Sequence, residues 1–232
     1  MASAQQSATP GDTRVRPRSG TAWEVFLVGI PLVWIVVALV HPQGGGDVYD
    51  ELQEQVGLWL GVHFAQLVLS LGLAMIFWVL LAGRTGSAAT VARLALPVWL
   101  VFFAAFDSVT GIASGLAVHH ANGLDGPEQA GAASTAEYLV DNRFTADFSV
   151  VWFVQAAALL TVVIATALAL RSAGASRGLF VAMLGGVLLV FHAGAIAAIG
   201  LVAIAAAVVL ASREGLMSDS LRSAALRGRT PA

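Results

Sequence analysis

The sequence predicts an all-α integral membrane protein, a six-transmembrane-helix bundle with N and C termini cytoplasmic. Three observations carry that prediction: a composition too apolar for a soluble globule, apolar runs of bilayer-spanning length, and a one-sided distribution of arginine. Of 232 residues, 58% are hydrophobic and 11% charged, and the mean hydropathy is +0.81. A soluble domain is roughly 45–50% apolar and about 25% charged, so there is too little charge here to coat one. This excludes a soluble enzyme and a disordered chain. A net charge of −2 without a basic cluster excludes a nucleic-acid binder. Cysteine is absent, which removes disulfides, thiolate metal sites, iron–sulfur clusters and thiol nucleophiles.

Residues 1–22 are rich in Ser, Gly, Pro and Arg and lack hydrophobic periodicity, so they read as a disordered cytoplasmic tail. The first apolar run, 23–41, is longer than the roughly 7–15 residues of a signal-peptide core, and no small-x-small cleavage site follows. It is expected to remain as the first span. An outer loop, 42–56, opens with Pro42 and a flexible Gly44-Gly45-Gly46 turn, which lacks the Lys-Ser/Thr of a phosphate loop. Spans 57–82, 91–118 and 148–170 each exceed the ~20 residues needed to cross ~30 Å of hydrocarbon. Between the last two lies a second outer loop, 119–147. Its Ala-rich middle, Pro127 to Val140, reads equally as an interfacial helix or a plain loop.

The apolar stretch from Gly178 to Ala211 would be about 50 Å long as one helix. Fitting it into the core needs a tilt near ~50°, outside the usual range. Two spans, 179–192 and 195–211, broken at His192-Ala193-Gly194, fit better, followed by a cytoplasmic tail, 212–232. Arginine agrees: all 12 cationic residues are Arg, and six spans with the N terminus inside leave only Arg143 outside. Five spans would strand Arg213, Arg222, Arg227 and Arg229 outside, against the positive-inside bias. Trp23, Trp59, Trp78 and Trp152 fall near span ends, where amphipathic rings anchor at the interface.

This topology puts all five histidines in the outer half of the membrane: His41, His63, His119, His120 and His192. His63, Gln66 and Ser70 follow at i, i+3, i+7 and share one face of the second span. The third span carries Asp107, Gly111, Gly115 and His119 along an i+4 ridge, with Ser114 beside it. Asp107 is the only acid deep inside any span, about 16 Å from the outer end. An isolated charge there costs ~2.5–3.5 kcal/mol or more, so it must face the bundle and be paired or protonated. Asp107, His63, Gln66, Gln155 and Ser114 are therefore the candidate proton or solute site of an outward-facing polar pocket. For the Gln and Ser residues, hydrogen-bonded glue between helices is the simpler role.

His41, His119, His120 and His192 form a candidate outer cluster. His119 and His120 are adjacent and point ~100° apart on a helix, so they cannot aim at one metal. The sequence therefore implies no firm cofactor, with haem or copper at His63 and another outer histidine as the minority case. Gly57/Gly61 and Gly111/Gly115 are small-xxx-small pairs, suited to close helix packing or to a homo-oligomer or membrane-protein partner. No catalytic motif is matched. The expected function is a transporter-like or solute- or proton-sensing membrane protein. The alternatives are an accessory subunit without its own chemistry, and a haem- or copper-binding redox subunit. Arginine without lysine suggests a GC-rich genome, and the expected location is a bacterial cytoplasmic membrane.

Overall fold

The computed structural model describes residues 19–42, 47–141 and 148–217. In chain order its elements are α1 (Ser19–Val40), a short α2 (Val48–Leu52), α3 (Val56–Leu81) and α4 (Ser87–Asp107). A π-helical turn (Ser108–Ala113) then leads without a break into α5 (Ser114–Ala121). After these come α6 (Gly126–Asp141), α7 (Ser149–Ser172), α8 (Arg177–Gly185) with a 3-10 extension (Gly186–Phe191), and α9 (Gly194–Arg213). Among the described residues there is no strand.

Five stretches are long and apolar enough to cross a membrane: Ala22–Val40, Val56–Leu81, Ser87–Ala121, Ser149–Ser172 and Gly194–Arg213. This is the pattern of a multi-pass membrane protein. A further apolar stretch, Arg177–Phe191, is shorter. Its 3-10 half rises 2.0 Å per residue against 1.5 Å for an α-helix, which stretches it to about 25 Å, close to the hydrocarbon thickness. The helix is interrupted between Phe191 and Gly194. His192 adopts a left-handed conformation (φ 44) and Gly194 opens α9, so the chain reverses without a proline.

The third span differs from its expected bounds of 91–118. It begins at Ser87 and runs for 35 residues to Ala121, about 52 Å at α-helical rise. That exceeds the ~30 Å of the hydrocarbon layer, and α6 packs against its α5 end. α6 resolves the reading of the long loop in favour of a helix, with Ala136 and Val140 buried. These two join Val48, Leu52, Trp59 and Val118 in a small apolar cluster that caps this end of the bundle. The cap is also hydrogen-bonded: the Tyr49 amide donates to Glu137 Oε1 at 3.1 Å. Asp47 caps α2 by accepting from the Asp50 amide at 3.0 Å.

The main core runs between the long helices and is built on Leu27, Trp34, Phe77, Trp99, Leu170 and Leu201. Where α8 and its 3-10 extension meet α9, small residues set the distance. A Cβ added at Gly200 would lie 2.9 Å from the Leu189 nitrogen, and one at Gly185 would lie 2.6 Å from the Ala203 Cβ. Gly57 and Gly61 instead face open space.

The two ends of the bundle differ in chemistry. At one end Arg84 donates to the Leu80 and Leu216 carbonyls, and Arg93 donates to those of Leu81 and Arg84. There too, the Ser176 amide and hydroxyl both donate to Glu214. The opposite end carries the imidazoles. Ser19 and Arg213 both lie at the arginine end, because α1 runs toward the imidazoles and α9 runs back from them. Residues 1–18, Arg143 and the tail beyond 217 lie outside the described residues.

Candidate functional site

Two polar side chains meet inside the membrane-length helices. His63 projects from α3, about 10 Å from its start at 1.5 Å per residue, and Asp107 ends α4. His63 Nδ1 lies 2.7 Å from Asp107 Oδ1. A carboxylate only accepts, so Nδ1–H is the donor and Nε2 is left as the ring's other polar atom. Both residues are sealed from solvent, at 2% and 0% exposure. Among the described residues, His63 Nε2 and Asp107 Oδ2 have no hydrogen-bond partner.

The backbone beside Asp107 is shaped to receive the ring. An α-helix would bond each amide to the carbonyl four residues back. The π-helical turn shifts that register, with the Ser114 amide reaching the Val109 carbonyl. Carbonyls displaced from their usual partners are met by side chains. Trp59 Nε1 donates to the Gly111 carbonyl at 2.7 Å, and Ser114 Oγ donates to the carbonyls of Thr110 and Gly111. Gly111 itself faces His63 so closely that an added Cβ would overlap the imidazole. Gly115 is packed in the same way against Trp59 and Leu60. Gly111 and Gly115 are thus taken up within the chain, and Gly111 makes room for a ring.

Further rings complete the cluster. His41, 7% exposed, lies 5.0 Å from His63, 5.7 Å from His192 and 5.2 Å from Trp59 between centroids. Trp59 lies 4.5 Å from His63, and Phe106 lies 5.6 Å from His192. His41 Nδ1 lies 2.7 Å from the Pro42 carbonyl, which fixes Nδ1 as the donor. Three imidazoles from three different elements therefore converge. They line a cavity of about 440 Å³ together with Trp59, Phe106 and Trp152. The cap supplies Val48, Leu52 and Val140 to its wall, and Thr110 adds a hydroxyl.

The expected site residues divide accordingly. Asp107, His63, His41 and His192 come together. Gln66 stands just behind, its Nε2 donating to the His192 carbonyl at 3.3 Å. Gln155 is buried against His192 on another side, lining a void of about 10 Å³ with Trp34 and Trp99. Ser114 does not reach the cavity, because its hydroxyl is engaged by the π-helical turn. His119 and His120 are exposed on α5 and stand apart from the cluster. Trp59, expected as an interfacial anchor, is instead buried and bonded to Gly111, because the long third span and the cap enclose it. Phe106 and Trp152 were not among the expected site residues.

Chemically, the site offers one imidazole braced by a carboxylate, two more imidazoles and an aromatic wall. Among the described residues, no three His, Asp or Glu side chains are arranged to hold a metal ion. Comparison with known families, with curated proteins and with solved structures gives no match.

Proposed function

We propose that the chain is a six-span protein of a bacterial cytoplasmic membrane, with both termini cytoplasmic, that binds a small solute in an outward-facing pocket and responds to protons there. It is transporter-like or a sensor rather than an enzyme. The observation that carries this reading is the buried His63–Asp107 pair at 2.7 Å beside a cavity of about 440 Å³. Packing alone gives poor grounds for keeping a carboxylate in this position, because interhelical polar contacts contribute only ~0.6 kcal/mol on average. A carboxylate hydrogen-bonded to an imidazole can instead share and release a proton within one contact.

The test compares wild type with Asp107→Asn, which keeps an acceptor for Nδ1–H but removes the charge. Tryptophan fluorescence is followed from neutral to mildly acidic pH, since Trp59 and Trp152 line the cavity. The reading expects a titration in wild type that disappears in the variant, with the fold intact. A variant that only shifts thermal stability by about 1 kcal/mol, with the titration unchanged, would favour an accessory subunit whose polar groups hold helices together.

The approach of His41 to His63, 5.0 Å between ring centroids, favours a second reading, a haem- or copper-binding redox subunit using His63 and another outer histidine. A coloured preparation with a Soret band, or stoichiometric copper, would support it. A colourless, metal-free protein would remove it.

A further inference from the structure

Resting on the pocket reading above, we propose that the cavity takes an uncharged aromatic ring bearing a hydroxyl or carbonyl oxygen, the chemistry of a phenol or a quinol headgroup. The argument begins with the walls. Trp59, Phe106, Trp152 and Phe191 present ring surface, and the rest of the lining is aliphatic apart from the three imidazoles and Thr110. Flat apolar walls favour a flat apolar ligand. A volume of about 440 Å³ has room for a single substituted ring.

Polarity sets the second requirement. His63 is 2% exposed, its Nδ1 is occupied by Asp107, and Nε2 has no partner among the described residues. A buried nitrogen left unpaired costs free energy that one hydrogen bond from a ligand hydroxyl would recover. With Nδ1–H donating to the carboxylate, Nε2 of a neutral imidazole is an acceptor, and a hydroxyl is its natural complement.

Charge sets the third. Among the described residues no Arg, Asp or Glu lines this cavity. Asp107 stands behind the imidazole with its charge already engaged. Among the described residues an anion would meet no arginine there, and an ammonium would find the carboxylate covered. Among the described residues no three His, Asp or Glu side chains are placed to hold one ion, although three imidazole rings pack together, and this argues against a bare metal.

The test is an isosteric series on the full chain in lipid nanodiscs, measured by calorimetry against empty nanodiscs: 4-methylphenol, 4-methylbenzoate and 4-methylbenzylammonium. Saturable binding of the phenol is expected, with each charged analogue at least tenfold weaker. His63→Phe keeps a ring and removes its nitrogens, and should lose at least tenfold of the phenol affinity. Should that variant fold poorly with Asp107 unpaired, the double variant His63→Phe/Asp107→Asn removes the stranded charge and should show the same loss.

A short-tailed prenyl quinol distinguishes the source of the ligand. Competition with the phenol supports delivery from the bilayer, and phenol binding without competition supports delivery from the outer water phase. Binding of the benzoate or the ammonium as tight as that of the phenol overturns the inference but leaves the pocket reading standing. Stoichiometric Cu²⁺ or Zn²⁺ binding without phenol binding overturns it in favour of a metal site. If neither the three compounds nor the metals bind, the inference and the pocket reading fall together.

Discussion

Gly111 shows how much one missing methyl group decides. An alanine Cβ there would overlap the His63 ring, so Gly111→Ala should push the imidazole off Asp107. Overpacking of this kind costs about 1–3 kcal/mol. Chemical denaturation of that variant should show such a loss, and the pH titration of the site should be altered. Gly57→Ala is the control: it faces open space and should stay within about 0.5 kcal/mol of wild type. At this scale the sequence was partly legible. Asp107 and His63 stand out because polar groups are expensive in apolar spans. Gly111 read as half of a packing motif, because nothing in the residue order announces the shift of register that turns it toward His63. Trp59 misled for a related reason: its distance from a span end suggested an interface, whereas its partner carbonyl is exposed only by that same shift.

Between elements, the joint of α2 with α6 behaves as a carboxyl pair. Asp47 is held below its usual range, first by the Asp50 amide and then by its hydrogen bond with Glu137. Glu137 is raised, first by burial and then by the hydrogen bond and charge of Asp47, against the opposing Tyr49 amide. A raised acid contributes stability that is full below its unfolded pKa, about 4.3, and is lost as pH rises through the folded value. The lowered Asp47 contributes in the opposite sense, losing its share as pH falls below about 3.9. The joint should therefore be tightest in mild acid and looser at neutrality. Glu137→Gln imitates the protonated partner, so it should abolish the neutral-pH loosening. Hydrogen exchange at the Tyr49 amide, followed from about pH 4 to 7, would check this; equal pH profiles in the two proteins would refute it.

Glu214 offers a simpler case at the arginine end. Its hydrogen bonds to the Ser176 hydroxyl and amide lower its pKa. That stabilisation is present above about pH 4.3 and is lost as pH falls through the folded value. Glu214→Gln should remove this acid-side loss from a thermal-midpoint profile. Neither clasp was readable from sequence, because each joins residues distant along the chain: 88 positions between Tyr49 and Glu137, and 38 between Ser176 and Glu214. The helix α6 was half-readable, since its Ala-rich composition permits a helix and its packing decides for one.

Taken as a whole, the molecule was most legible where physics is coarse. Apolar length marks membrane-crossing helices regardless of detail, and the reversal at His192 was legible because a single helix there would be too long for the bilayer. The proposed sixth crossing rests on Arg177–Phe191, a shorter apolar stretch that its 3-10 half lengthens. A tag after residue 217 should be reachable by membrane-impermeant reagents only after the cells are permeabilised; labelling on intact cells would reverse the proposed orientation. The 52 Å continuous rod of the third span has a practical consequence as well. If the proposed orientation holds, the turn after Ala121, packed beside α6, lies on the outer side of the membrane. On that orientation, an antibody fragment raised against this turn should bind intact cells, and a failure to bind would count against it.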